Sequence, residues 1–375
     1  MGIMNLQPVV GLLFIMLKAT RKTVTLRDVA ALAGIDKATA SRALSGKGYM
    51  SPQTRDAALK AAQELGFQPD LRAQHLAQGR NHNIIALLPD NDLGVLTQQA
   101  IFIEHRLDEL NFEIQIHNVP RWVNHFEERQ VALVNKVRRQ RPGAIIANSA
   151  VVPGVLHELR LFMQEGGAVI GYGAKMDLEC DQVSFDSGHR AYLATRHLLE
   201  LGHRELGFCF HGSIQQDSKE LIGFARAMKE FGAPVRKKWL FGGGNYEEGG
   251  ARLADAFLKW PHKPSGLCII NDVSASTFVT TLHRNGLRVP DDVSVVGFDD
   301  APAARYALVP LTTISYPLET IGRHVVEFTQ SRLKGYDGPA RTIAVQSELV
   351  TRSSTAPYGR KTYQNTAGAT QRIVN

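Results

Sequence analysis

Lys37, Ala38, Ser41 and Arg42 face outward from a short helical segment, Lys37 to Leu44, whose inner side is made by Ala40, Ala43 and Leu44. Lysine and arginine donate to guanine N7 and O6 in a DNA major groove, and an alanine there touches only a thymine methyl. An ordinary solvated basic face has the same composition. A second candidate lies far downstream. Asp272 follows an apolar strand-like run, and a carboxylate at a strand's carboxyl end accepts two hydroxyl hydrogen bonds from a sugar-like ligand. The same residue would serve as a cap for the helix from Val273. Asp299 and Asp300 read equally as loop caps, and His203 and His211 are lone histidines beside strands, with a structural role the simpler expectation.

Catalytic and metal chemistry find little support. Cys180, Cys209 and Cys268 are far apart and form no metal spacing, a pattern that suits a reducing compartment, the cytoplasm, and no disulfide framework. Gly242-Gly243-Gly244 is followed by no dinucleotide fingerprint and reads as a loop; there is no G-x-x-x-x-G-K-[ST] and no nucleophile elbow. The expectation is a non-enzyme with no catalytic residue, metal or cofactor.

The charge supports a polyanion partner. Residues 1–82 hold 11 Lys/Arg against 5 Asp/Glu, whereas residues 83–375 hold 32 against 31, so the net +7 belongs mostly to the N-terminal fifth. With 375 residues, 44% hydrophobic and 21% charged, the chain suits a soluble protein of two or three domains. The apolar run Pro8 to Leu17 is too short to span a bilayer, and its flanking Lys18, Arg21 and Lys22 fall on the wrong side for a signal peptide. A natural start at Met16 explains it more simply.

Three short helices must position the basic face. Leu26, Val29, Ala30 and Ala33 give an i, i+3, i+4, i+7 stripe that Gly34 breaks; Asp36 caps the second segment; Ser51-Pro52 opens the third, with Ala58, Ala61, Ala62 and Leu65 as its apolar side. Phe67 to His82 is a connector able to form one further short helix, unstable alone. From Asn83 onward apolar strands alternate with helical stretches in two series: Ile84–Pro89, Phe112–Val119, Gly143–Asn148, Ala168–Tyr172 and Val183–Asp186, then Glu205–His211, Gly266–Asp272, Val293–Asp299 and Thr312–Tyr316. Such alternation predicts parallel sheets covered on both faces, with a ligand outside the strands' carboxyl ends.

The run Val24-Thr-Leu-Arg-Asp-Val-Ala-Ala-Leu-Ala-Gly-Ile-Asp-Lys-Ala-Thr-Ala-Ser-Arg resembles the DNA-binding head of the LacI/GalR family of bacterial repressors, as do Ser51-Pro-Gln-Thr-Arg55 and Gly66-Phe-Gln-Pro-Asp-Leu-Arg-Ala-Gln74 after it. The resemblance continues through His197 to His203, Gly223-Phe224, Asn271-Asp272, Gly286 to Asp300 and Pro310 to Ile314. It implies an α/β protein: an N-terminal three-helix helix-turn-helix head plus hinge helix, then a periplasmic-binding-protein-like core of two Rossmann-like subdomains. Lys37, Ala38 and Arg42 become base readers; Thr25, Thr39, Ser41 and Arg55 become phosphate contacts. Leu76 becomes a minor-groove wedge with Ala73 and Gln74 beside it. Matching effector positions are Asp90, Asn148, Ser149, Tyr172, Glu220, Asp272 and Tyr316.

The implied partners are a pseudo-palindromic double-stranded operator, a second copy of the chain in a homodimer, and a small-molecule effector; no membrane is involved. Glu220 departs from the family's sugar-sensing pattern, which has arginine three residues before the Gly-aromatic pair, and Tyr172 replaces a commonly polar residue. The effector expected is therefore sugar-like but atypical: cationic, an unusual polyol, or none. The expected divisions are an extension at 1–22, the helix-turn-helix domain at 23–68, a hinge helix and linker at 69–82, the core at 83–352 and a disordered tail at 353–375. Within the core, one subdomain takes about 83–185 and 316–332, the other about 186–315 and 333–352, with crossovers near Phe185, Ser315 and Arg332. A periplasmic ligand-binding protein, which gives no reason for the helix-turn-helix, and an enzyme on a Rossmann-like fold are the competing classes.

Overall fold

The computed structural model describes residues 24–45, 50–67, 83–89, 94–120, 124–243 and 246–359. The chain divides between Arg80 and Asn81 into a head and a core. In the head, α1 spans Leu26–Ala33, α2 Lys37–Ser45 and α3 Pro52–Leu65. Each end has a local cause. The Thr25 N–H and hydroxyl both donate to Asp28 Oδ2, at 2.8 and 2.7 Å, and tie down the first turn of α1. Gly34, at φ 66°, terminates α1 in the left-handed region, and Ile35 N–H closes back on Ala30 O. Ser51 Oγ accepts from Thr54 N–H at 3.2 Å, with Pro52 at the first helical position. Val29, Ala61 and Ala62 pack with Ala33, Leu44, Leu65 and Phe67 into a small core.

The core has two lobes. In the N lobe the order is β1 (Asn83–Pro89), α4 (Val95–Asp108), β2 (Glu113–Val119), α5 (Phe126–Arg139), β3 (Ala144–Asn148), α6 (Pro153–Gln164), β4 (Ala168–Ala174) and β5 (Asp181–Phe185). The C lobe follows with α7 (Ser187–Glu200), β6 (Leu206–Cys209), α8 (Lys219–Glu230), β7 (Leu240–Phe241), α9 (Tyr246–Lys259), β8 (Gly266–Ile269), α10 (Asp272–Arg284), β9 (Ser294–Asp299), α11 (Pro302–Arg305) and β10 (Thr312–Ser315). Last come α12 (Leu318–Leu333), β11 (Thr342–Ala344) and β12 (Leu349–Val350). Among the described residues two six-stranded sheets form, ordered β11-β5-β4-β3-β1-β2 and β12-β10-β9-β8-β6-β7. Every described pairing is parallel except β12 with β10.

Both faces of each sheet are buried, which is why the strands read as continuous apolar runs. Ile84, Ile146 and Ile170 pack with α4 and α12, while their neighbours Ile85, Ile145 and Val169 pack with α5 and α6. In the C lobe Leu206, Phe208 and Val296 lie under α7 and α8, and Leu267, Ile269 and Val295 under α9 and α10. Full burial of each such side chain contributes roughly 1.5–3 kcal/mol relative to exposure. The strand order reverses at β1/β3 and again at β6/β8, so a crevice opens at the carboxyl ends of those strands.

Two expected boundaries are corrected. The third crossover is not near Arg332: β11 pairs in parallel with β5, Thr342 opposite Gln182, so residues 333–344 stay with the N lobe and the chain crosses between Ala344 and Leu349. Two arginines enforce this, since Arg332 and Arg341 both bind Asp181 at the start of β5. Nor is the chain disordered from residue 353. Ser354 Oγ donates to Val295 O at 2.6 Å and accepts from Thr312 N–H at 2.8 Å, Ala356 O meets His203 Nε2 at 3.0 Å, and Tyr358 N–H donates to Leu201 O. Residues 353–359 therefore close the C lobe.

Candidate functional site

In the head, Asp36 sets the start of α2. Its carboxylate accepts from the Thr39 hydroxyl at 2.6 Å and the Thr39 N–H at 2.9 Å, and these bonds hold its pKa below the usual range. Ala40 and Ala43 are buried beneath the helix, at 0% and 1% exposure, and so fix which side is turned out. Lys37, Ala38 and Arg42 are exposed on that side; Thr39 and Ser41 are half-buried. Arg42 Nη2 donates to Thr39 Oγ1 at 3.2 Å, which orients the guanidinium along the helix. Thr25 and Arg55 are also exposed, at the starts of α1 and α3. Ala73, Gln74 and Leu76, and with them the expected hinge helix, lie outside the described residues, as does Asp90.

The core carries a cleft between its lobes, with a cavity of about 260 Å³. Four expected positions line it: Asn148, Ser149, Glu220 and Tyr316. Asn148 and Ser149 follow β3; Asn148 Oδ1 accepts from Ala150 N–H and Ser149 Oγ from Ala174 N–H, both at 2.9 Å. Gly173, at φ 110°, admits this loop, since a Cβ there would stand 2.5 Å from Ser149 Oγ. Glu220 sits in the first turn of α8, and makes no hydrogen bond or ion pair among the described residues. Tyr316 reaches the cleft at the second crossover, edge-on to Phe185 at 5.6 Å.

Two expected effector residues are corrected. Tyr172 is not on the cleft wall: it is 3% exposed and packs in the N-lobe core with Ile84, Ile146 and Ile170. Asp272 is fully buried and also absent from the wall. Its Oδ1 accepts from the Thr313 hydroxyl at 2.7 Å and its Oδ2 from Ala301 N–H at 2.9 Å, so both oxygens serve the lobe itself. Burial first, and the neighbouring Asp299 charge second, push its pKa well above the carboxylate range. Asn271, the preceding residue, caps α10 by accepting from Val273 and Ser274 N–H, and it is Asn271 that lines the cleft.

Arg190 and Asp299 complete the wall, and the sequence reading did not select them for it. Arg190, 8% exposed, donates through Nη2 to Asp299 Oδ1 at 2.8 Å and to Ile314 O at 3.3 Å. Its guanidinium lies 4.9 Å from the Phe185 ring centre and 5.6 Å from that of Phe298. Asp299, at the end of β9, adopts φ 105°, a conformation rare for a non-glycine residue. One signal was available: Arg190 stands four and eight residues before Ala194 and Leu198, on the buried side of α7. His211 also lines the cleft, with its ring edge-on to Tyr246 at 5.5 Å. Elsewhere, burial pushes the Cys180, Cys209 and Cys268 thiols up to about 12, which keeps them protonated and unreactive.

The head thus presents a capped helix with an exposed basic side, and the two-lobed core holds a cleft lined by apolar and polar side chains. Residues 25–70 match the family described as bacterial regulatory proteins, lacI family, and residues 195–355 match the periplasmic binding protein-like domain. The chain thus resembles the LacI/GalR family of transcriptional regulators in both its head and its core. It is 26% identical over 333 residues to the HTH-type transcriptional repressor PurR of Vibrio vulnificus (strain CMCP6), covering 88% of this chain and 98% of that protein. In fold it is similar to the Lac repressor dimer bound to operator and the anti-inducer ONPF, with a TM-score of 0.77, 23% identity and coverage of 89% and 100% of the two chains. It is likewise similar to the transcriptional regulator CelR in its cellobiose complex, with a TM-score of 0.63, 24% identity and coverage of 88% and 99%.

Proposed function

We propose that this chain is a cytoplasmic, homodimeric repressor whose paired heads bind a pseudo-palindromic operator and whose core binds a small molecule that changes operator affinity. The observation that carries the reading is α2, where Lys37, Ala38 and Arg42 are exposed at a capped N-terminus above buried Ala40 and Ala43. In this reading Lys37, Ala38 and Arg42 read bases, and Thr25, Thr39, Ser41 and Arg55 position the head on phosphates. Leu76 wedges the minor groove at the operator centre, beside Ala73 and Gln74. The effector occupies the cleft at Asn148, Ser149, Glu220 and Tyr316, and its contacts with both lobes favour one lobe arrangement over another. Among the described residues no helix is long and apolar enough to cross a membrane. The PurR relative is a repressor by name, which favours regulation over catalysis.

Selection of random duplex DNA by the purified protein tests this directly. The expected product is a palindrome with a flexible pyrimidine–purine centre and half-sites about one helical turn apart. Failure to enrich any site, with or without small-molecule extract, would contradict the reading.

A further inference from the structure

Charge accounting in the cleft points to the class of its ligand, on the reading that this cleft is the effector site. Among the described residues three side chains of formal charge line it: Arg190, Asp299 and Glu220. The first two neutralise one another at 2.8 Å. Glu220 has neither an ion pair nor a hydrogen bond. Among the described residues the wall therefore keeps one negative charge without a cationic partner, on the half-buried carboxylate of Glu220 in the first turn of α8. An anionic ligand would meet Glu220 with repulsion and find the Arg190 charge already balanced by Asp299. A neutral polyol would offer Glu220 hydroxyl donors but no charge to balance it, so its hydrogen bonds there are weaker than those of a cation.

Arg190 adds a second requirement. Its Nε–H is buried without a hydrogen-bond partner, although Nη2 is fully occupied by Asp299 and Ile314 O. A buried N–H of this kind is completed by an acceptor oxygen. The phenyl rings of Phe185 and Phe298 on the guanidinium hold it in place. The cavity of about 260 Å³ suits a small molecule.

We propose that the cleft binds a small polyhydroxy amine, with its protonated nitrogen on Glu220 and a hydroxyl or ring oxygen accepting from Arg190. Three probes that share one hexose frame separate the alternatives: glucosamine, glucose and glucuronate, each titrated calorimetrically into the full-length protein at a pH where the amine is protonated. Glucosamine is expected to bind about tenfold or more tighter than glucose, the worth of one charge-assisted hydrogen bond, and glucuronate to bind weakest. Glu220→Gln, which keeps the shape and removes the charge, should bring glucosamine and glucose to near parity. Glu220→Arg should move the preference to glucuronate, so the assignment does not hang on one variant. Tighter binding of glucose or glucuronate by the parent protein overturns the amine class and leaves the effector reading intact. No binding of glucosamine, or a preference unchanged in Glu220→Gln, overturns it too. Operator selection with the same preparation reports on the regulator reading independently.

Discussion

Asp181 begins β5 in the N lobe and Asp272 begins α10 in the C lobe, and neither carboxylate is reached by solvent, at 1% and 0% exposure. Their partners differ in kind. Asp181 accepts from Arg332 Nε and Nη2 at 2.8 and 3.0 Å, and from Arg341 Nη2 and its backbone N–H at 2.6 and 2.8 Å. Burial alone would raise its pKa, but the two arginines outweigh burial and bring it down to about 2. Asp272 receives only a threonine hydroxyl and a backbone N–H, with Asp299 as the nearest charge of influence. The difference teaches that burial does not decide the state of a carboxylate here; the charge of its donors does. Asp181 is an ionic clamp that holds α12 and β11 on the N lobe. Asp272 is a polar joint between β10 and the loop after β9.

The sharpest way to break this contrast is to remove each carboxylate in turn. Asp181→Ala leaves two half-buried arginines without their anion, and should lower the unfolding free energy by about 3–5 kcal/mol in denaturant titration. A loss below about 1 kcal/mol would mean that the arginines find water or other acceptors and that the clamp is weak. Acid titration comes next and separates the two by sign. Asp181 has a folded pKa below its ordinary 3.8, so its stabilisation is complete above that value and is lost as pH falls through it toward about 2. Asp272 has a raised folded pKa, so its contribution is fully present below 3.8 and is lost as pH rises through the folded value. In stability curves, Asp181→Asn should flatten the acid limb, and Asp272→Asn should flatten the slope above it; reversed effects would refute the assignment. The smallest effect is Asp272→Asn near neutral pH. A neutral amide replaces a group already driven toward neutrality, and the cost should stay near about 1 kcal/mol, one hydrogen bond's worth.

The same contrast explains what the sequence made legible. The outward side of α2 could be read because it depends on four residues of one helix and on a helical period with a visible cap. The layered core could be read from strand-helix alternation, but β11, only three residues long and mostly exposed, gave no apolar run to find. The cleft is assembled from the ends of strands and helices far apart in the chain, where one residue of offset changes which side chain faces the ligand. β4 continues two residues past Tyr172, so Gly173 and Ala174 reach the wall and Tyr172 turns into the core. α10 begins at Asp272 itself, so Asn271 takes both the cap and the cleft position. Arg190 was hidden because a charge among Ala191, Ala194 and Leu198 looks like a break in an apolar stripe, and only its distant partner Asp299 makes sense of it.

The central claim is that α2 reads base edges. Its most direct test is the affinity of the parent protein and of Lys37→Ala for the selected operator and a full set of single-base-pair variants of it. Lys37→Ala should lose discrimination at one base pair per half-site, worth about 1–3 kcal/mol, and keep the remaining preferences. A uniform loss across all sequences, with a shallower salt dependence, would make Lys37 a phosphate contact and contradict the claim.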